Sequence, residues 1–332
     1  MALGRFRSEV ARGRFIAAYG EAMAALPAPA ETADVSTAFG TVRAYTWHGD
    51  DTRSPVLLLP GMSAGAPMWA ENLPSLLDSG RTFVAVDALG DIGMSVQTSP
   101  IGSMADQAQW LDETLERLGH ARVHAVGHSF GGATAASLAV RHQGRLASLA
   151  LIEPAFTLRW PPASTFAWAA LATLPVPRSW RDHALAALGG VSVAEVRTPS
   201  PIGTLISVGS QTFTSALPTP RPLSRDQLAS LRGPTYVAIA GRRSLAGGAK
   251  AAERAREGIP AAEVEVWPQA THSLPMQERE RVGERLRAFW DRAESTGRRT
   301  GSGDRAGSDR EVSGSTARSD VPNRLDSNRG EP

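Results

Sequence analysis

The stretch that most constrains this chain is Gly127-His128-Ser129-Phe130-Gly131-Gly132, a G-x-S-x-G element set directly after Ala121-Arg122-Val123-His124-Ala125-Val126 and before Ala133 to Val140. A β-branched run ending on Gly, a Ser between small residues and an Ala-rich segment spell strand, sharp turn and helix. A serine on so tight a turn needs a strained backbone, and glycine neighbours let the turn close while Oγ stays exposed at the strand end. The following helix aims its free N–H groups and positive dipole end at the same point, where an oxyanion would form. The plainer account is a glycine-rich turn whose serine only caps a helix.

The chain around this turn alternates. Residues 34–39 and 42–47 read as two short strands joined at Gly40. Pro55 to Leu59 and Thr82 to Val86 are continuous apolar runs suited to strands buried on both faces. Helices are expected over Trp69 to Leu77 and Met104 to Leu118, with a further strand at Leu149 to Ile152. After residue 232 come strand Thr235 to Ala240, helix Ala249 to Glu257, strand Val264 to Trp267 and helix Gln277 to Trp290. Such alternation predicts an α/β fold, a mostly parallel, doubly wound sheet with ligands at the carboxyl ends of its strands. Between Pro154 and about Arg232 the alternation stops in favour of prolines and tryptophans, which reads as an inserted cap over those ends. The expected organisation is an N-terminal helix within 1–30, a core made of 31–153 and 233–292, a cap at 154–232 and a disordered tail at 293–332, where apolar residues nearly vanish.

Composition narrows the partners. Formal net charge is +2, and the basic residues are nearly all arginines spread singly, Lys250 being the only lysine, which argues against nucleic acid. With no cysteine there is no thiol nucleophile, disulfide or cysteine-held metal. Arginines followed by an apolar run and Ala28-Pro29-Ala30 imitate a secretory signal, but Glu9 and Glu21 interrupt it. An amphipathic helix from about Phe6 to Leu26 and a cytoplasmic location are expected instead. Phe166 to Pro175 is too short to cross a membrane, so no stable membrane insertion is expected, while adsorption of the cap to a membrane surface stays an open reading.

A hydroxyl needs a base to become a nucleophile, and imidazole suits neutral pH. Of the seven histidines, only His272, in Pro268-Gln269-Ala270-Thr271-His272-Ser273-Leu274-Pro275, lies on a loop just after a sheet strand and downstream of the serine.

With these residues assembled, the chain resembles the α/β-hydrolases, and more narrowly their capped, carboxylesterase-like branch. The likeness rests on Thr37-Ala38-Phe39-Gly40, Leu59-Pro60-Gly61-Met62, Val86-Asp87-Ala88-Leu89-Gly90-Asp91-Ile92-Gly93-Met94-Ser95, Gly127 to Gly132, and His272-Ser273-Leu274-Pro275. The resemblance implies Ser129 as nucleophile, His272 as general base and the backbone N–H groups of Met62 and Phe130 as oxyanion hole. It implies no metal and no organic cofactor, and a small-molecule ester with an apolar group as substrate. Asp87 and Asp91 read as turn-formers bonded to backbone N–H groups.

The third member departs from the family pattern. Where an acid is usual, after the strand that follows the cap, Gly241-Arg242-Arg243-Ser244 offers only Ser244. Glu153, at the end of the strand after the nucleophile strand, is the favoured carboxylate. A Ser–His dyad helped by water or Ser244, and a cap acid such as Asp182 or Asp226, stay open. So do thioester, lactone or C–C hydrolysis, perhydrolysis, and a non-catalytic ligand receptor. Oligomeric state is not legible.

Overall fold

The computed structural model describes residues 3–260 and 262–303. Its centre is a sheet of nine strands among the described residues. In chain order the elements begin with β1 (Arg5–Phe6), α1 (Glu9–Met23), β2 (Glu31–Thr37), β3 (Gly40–Trp47) and β4 (Val56–Leu59). Then come α2 (Leu73–Leu77), β5 (Phe83–Val86), β6 (Val96–Gln97), α3 (Met104–Arg117), β7 (Val123–His128), α4 (Phe130–Arg141) and β8 (Leu146–Ile152). Between β8 and the resumed sheet lie α5 (Ala163–Thr173), α6 (Arg178–Gly189), α7 (Val193–Arg197), α8 (Pro201–Thr212), β9 (Phe213–Thr214) and α9 (Arg225–Ser230). The chain continues through β10 (Thr235–Ala240), α10 (Gly248–Gly258), β11 (Glu263–Trp267), α11 (Leu274–Gln277) and α12 (Arg279–Gly303).

The strand order is β11-β10-β8-β7-β4-β5-β3-β2, with β6 on β3. All neighbours from β11 to β5 are parallel, while β2, β3 and β6 pair antiparallel. The turns after β4, β5, β7, β8, β10 and β11 therefore share one edge.

Alternation along each strand builds two cores. Val56 and Leu58 of β4, Val126 of β7 and Ile152 of β8 face a layer with Phe15, Tyr19, Trp69, Leu286 and Trp290. Leu57, Leu59, Ala125 and Leu151 face Trp110, Leu111, Ala135, Leu138 and Ala255 on the other side. The four side chains of β4 are excluded from water, each contributing about 1.5–3 kcal/mol.

Helix ends follow their capping residues. Ser103 begins α3 with a capping box closed by Asp106. Ser8 caps α1, which buries Phe15, Ala18, Tyr19 and Ala22 at helical spacing. The helix expected from Trp69 to Leu77 is instead a 3₁₀ turn at Ala66–Trp69 followed by α2, since Pro74 has no N–H to continue a helix from that turn.

The N-terminal segment is not helical throughout: β1 pairs antiparallel with β9, so Arg5 lies opposite Thr214 and Phe6 opposite Phe213. The last helix also departs from expectation. α12 continues past Arg292 to Gly303, so the boundary set at 293 for a disordered tail falls inside a helix. Just past that boundary Glu294 is held in place: it accepts from Arg81, whose side chain is sealed from water, and from His124 Nε2 at 3.2 Å. The rest of the expected tail, 304–332, lies outside the described residues.

Candidate active site

The turn after β7 carries the strain its sequence implies. Ser129 has φ 54° and ψ −119°, a conformation L residues rarely adopt, and its N–H is taken by Ile152 O of β8 at 3.1 Å. The glycines leave no room for alternatives: a Cβ on Gly131 would stand 2.4 Å from Leu59 O, and one on Gly127 would stand 2.3 Å from Gly131 O.

His272, on the loop after β11, places Nε2 2.9 Å from Ser129 Oγ. Its Nδ1 lies 3.0 Å from Glu153 Oε2. Three side chains from three strand ends, 143 and 119 positions apart in sequence, thus form one hydrogen-bonded line.

Glu153 is fully buried and itself adopts φ 47°. A buried carboxylate is costly unless its oxygens are satisfied. Here Oε1 accepts from Ala240 N at 2.8 Å and Ser244 Oγ at 2.7 Å, and Oε2 accepts from Leu245 N at 3.1 Å as well as His272. Ser244 Oγ in turn accepts from Gly248 N at 2.9 Å. The structure therefore brings Ser244 to Glu153, not to His272. Asp182 is engaged by Arg197 Nε at 2.8 Å, and Asp226 sits exposed in the first turn of α9.

Met62 and Phe130 flank the serine. β4 pairs with β7 so that Leu59 lies opposite Gly127, which carries the loop after β4 past the elbow. Neither the Met62 nor the Phe130 backbone N–H is spent on a protein acceptor among the described residues. Phe130 opens α4, so the positive end of that helix dipole points to the same place.

Residues the sequence did not single out complete the surroundings. His128 Nε2 donates to His272 O at 2.9 Å, tying the elbow to the imidazole's own backbone. Burial, with His272 beside it, pushes the His128 imidazole down to about 3. Asp91 and Asp87 do bond backbone N–H groups, but they reach further. Asp91 accepts from Ser63 N at 2.6 Å and from Ser215 Oγ at 2.9 Å, linking the residue after Met62 to the segment following β9. Asp87 accepts from Ala66 N at 2.8 Å, Met94 N at 2.7 Å and Tyr19 Oη at 2.8 Å, which pins α1 to the sheet edge. Gly189 O, at the end of α6, accepts from Ser273 N at 3.2 Å, Ser273 Oγ at 2.8 Å and Thr271 Oγ1 at 3.3 Å, on both sides of His272. The other histidines are placed elsewhere: His48 near Glu31, His142 near Asp112 and His183 on Ser179 O.

The sheet order, the strained serine after β7 and the histidine after the last strand coincide with a match of residues 54–188 to the α/β hydrolase fold model. The solved structure of naproxen esterase (carboxylesterase NP) from Bacillus subtilis superposes with a TM-score of 0.76 at 24% identity, covering 84% of this chain and 98% of that one. The fold is that of the α/β hydrolases. By sequence, this chain is 25% identical over 283 residues to the uncharacterized carboxylesterase nap of Bacillus subtilis (strain 168), covering 84% of the chain and 92% of that protein. It is 31% identical over 142 residues to carboxylesterase YbfK of the same organism, covering 43% of the chain and 47% of the relative. No helix among the described residues is long and apolar enough to cross a membrane.

Proposed function

We propose that the protein is a serine hydrolase that cleaves carboxylic esters bearing an apolar group. The observation that carries this reading is the line Ser129 Oγ, His272 Nε2, His272 Nδ1, Glu153 Oε2, with links of 2.9 and 3.0 Å. The similarity to carboxylesterases over most of the chain supports the ester as substrate class.

In this reading Ser129 Oγ attacks the ester carbonyl while His272 Nε2 takes its proton. Glu153, already satisfied by other donors, accepts from Nδ1–H, fixes the tautomer and stabilises the imidazolium. The carbonyl oxygen becomes an oxyanion held by the Met62 and Phe130 N–H groups, each worth about 3 kcal/mol in comparable sites. The tetrahedral species collapses, the C–O bond breaks and the alcohol leaves with the proton from His272. Water then adds to the acyl-enzyme, giving its proton to His272, and the acid departs as Ser129 regains its hydrogen. The proline-bound apolar stretches of the cap segment support the apolar preference.

A fluorophosphonate probe tests this directly. Wild type is expected to be labelled at Ser129 and to hydrolyse a soluble p-nitrophenyl ester, with both lost in Ser129→Ala. An unlabelled, folded wild type with no turnover overturns the reading in favour of a ligand receptor. A panel of thioesters, lactones and C–C substrates ranks the alternatives on the same site.

A further inference from the structure

The α5 helix is unlike a helix that faces water. Residues 160–177 contain no charged side chain, and no acidic residue occurs from 154 to 181. Yet of the eleven residues of α5 only Thr165 and Ala172 are buried. Trp160 is 52% exposed, Phe166 46%, Leu174 51% and Trp180 59%. Phe156 meets Trp160 edge-on at 6.1 Å and Phe166 at 5.9 Å, so these rings form one cluster on the surface. Apolar clustering of this kind on a protein surface marks a place of interaction.

Its rim is cationic. Arg159 and Arg178 bound the uncharged stretch and are exposed. At the far end of α5, Arg7 Nη2 donates to Thr173 O at 3.1 Å. This contact brings the start of the chain against the last turn of the helix, with Arg5, Arg7, Arg12 and Arg14 exposed and Glu9 3.7 Å from Arg12. Exposed aromatic rings bordered by arginines form an interfacial surface in which rings enter the acyl boundary and guanidinium groups meet phosphates.

We propose that this face docks the protein onto an anionic phospholipid surface, with α5 in the plane of the interface. Charge decides between occupants. A second copy would bring the same arginine rim against itself without acids to answer it, whereas phospholipid headgroups supply the missing negative charge. At eleven residues α5 is about half the length needed to span a bilayer, so the attachment is peripheral.

The test is flotation of the full-length protein with vesicles of pure phosphatidylcholine and with vesicles rich in phosphatidylglycerol, at low and high salt. Partitioning into the anionic vesicles is expected to be at least about tenfold stronger and to fall with salt. Trp160→Ser/Phe166→Ser/Trp180→Ser is expected to lose about tenfold or more, with turnover of a water-soluble ester unchanged. Independently, Arg5→Gln/Arg12→Gln/Arg14→Gln is expected to lose several-fold per charge at low salt. Equal binding to both vesicle types, no binding by a wild type that labels with fluorophosphonate, or a dimer that the triple aromatic variant turns into monomer, each overturns the proposal.

Discussion

Ser244 Oγ donates to Glu153 Oε1 across 2.7 Å, so the hydroxyl standing where α/β hydrolases commonly carry an acid is a support of the carboxylate beside it. The two residues come from turns after neighbouring parallel strands, β8 and β10. A carboxylate with this set of donors is held immobile, which is what an imidazole partner requires.

Glu153→Gln keeps the shape but presents an NH₂ group to the sheltered amides or to Nδ1. Turnover of a soluble ester is expected to fall by about 10³-fold or more. Ser244→Ala removes one donor and leaves the carboxylate, so a loss nearer tenfold is expected. Steady-state kinetics on both variants measures this, and a fully active Glu153→Gln would show that the acid lies elsewhere.

Asp91 bears from behind on the loop proposed to supply an oxyanion donor. Ser63 holds φ 63° with its N–H on Asp91, and Met62 precedes it. In Asp91→Ala that loop loses its anchor, and kcat is expected to drop by about 10- to 100-fold while KM moves by less. Ser215→Ala breaks only the outer link and is expected to cost a few-fold. A loss of thermal stability alone, with kcat unchanged in the folded variant, would count against this positioning role.

Two histidines make stability depend on pH. Burial lowers the His128 imidazole to about 3 and His124 to about 4 from an ordinary 6.5. Between those values and 6.5 the unfolded chain binds protons that the folded chain refuses. Stability is therefore present above 6.5 and declines as pH falls toward 4, by up to about 1.4 kcal/mol per pH unit for each group. Burial raises the carboxyls of Asp87 and Asp91, which works in the opposite direction. The difference between wild type and His124→Asn/His128→Asn isolates the imidazoles: urea titrations from pH 7 to 5 are expected to give a flatter profile for the variant. An unchanged slope would mean that the rings are charged in the fold.

Arg81 has no water to turn to, and Glu294 is its answer. Against the pull of burial, Arg81 and His124 hold the Glu294 carboxyl down at about 2. Glu294→Gln leaves the guanidinium undercompensated, and a loss of about 1–3 kcal/mol in urea unfolding is expected. Ending the chain at 292 is expected to cost at least as much, since it also removes Ala293. A neutral result would place the end of the folded body at Arg292.

The legible parts were those encoded within a few residues. Gly127 to Gly132 states its turn locally, and the apolar runs at Val56–Leu59 and Phe83–Val86 state burial locally. His272 was reachable because its loop follows a strand. What escaped depends on partners distant in sequence. The role of Ser244 is defined by a carboxylate 91 positions earlier, and the place of Glu294 on α12 by Arg81, 213 positions before it. The composition after 292 is polar, and polarity alone cannot tell a solvated tail from a helix locked by one acid. The β1–β9 pairing joins two-residue strands too short to leave any periodic signal. His128 read as the variable position of a motif, although its small neighbour Gly61 gives its ring room and its Nε2 reaches His272 O.

The bonds from the Gly189 carbonyl to Ser273 and Thr271 join the last turn of α6 to the loop that carries His272. A displacement of that helix end therefore pulls on the footing of the imidazole. The inserted segment and the imidazole thereby share one mooring, so whatever shifts the first disturbs the second.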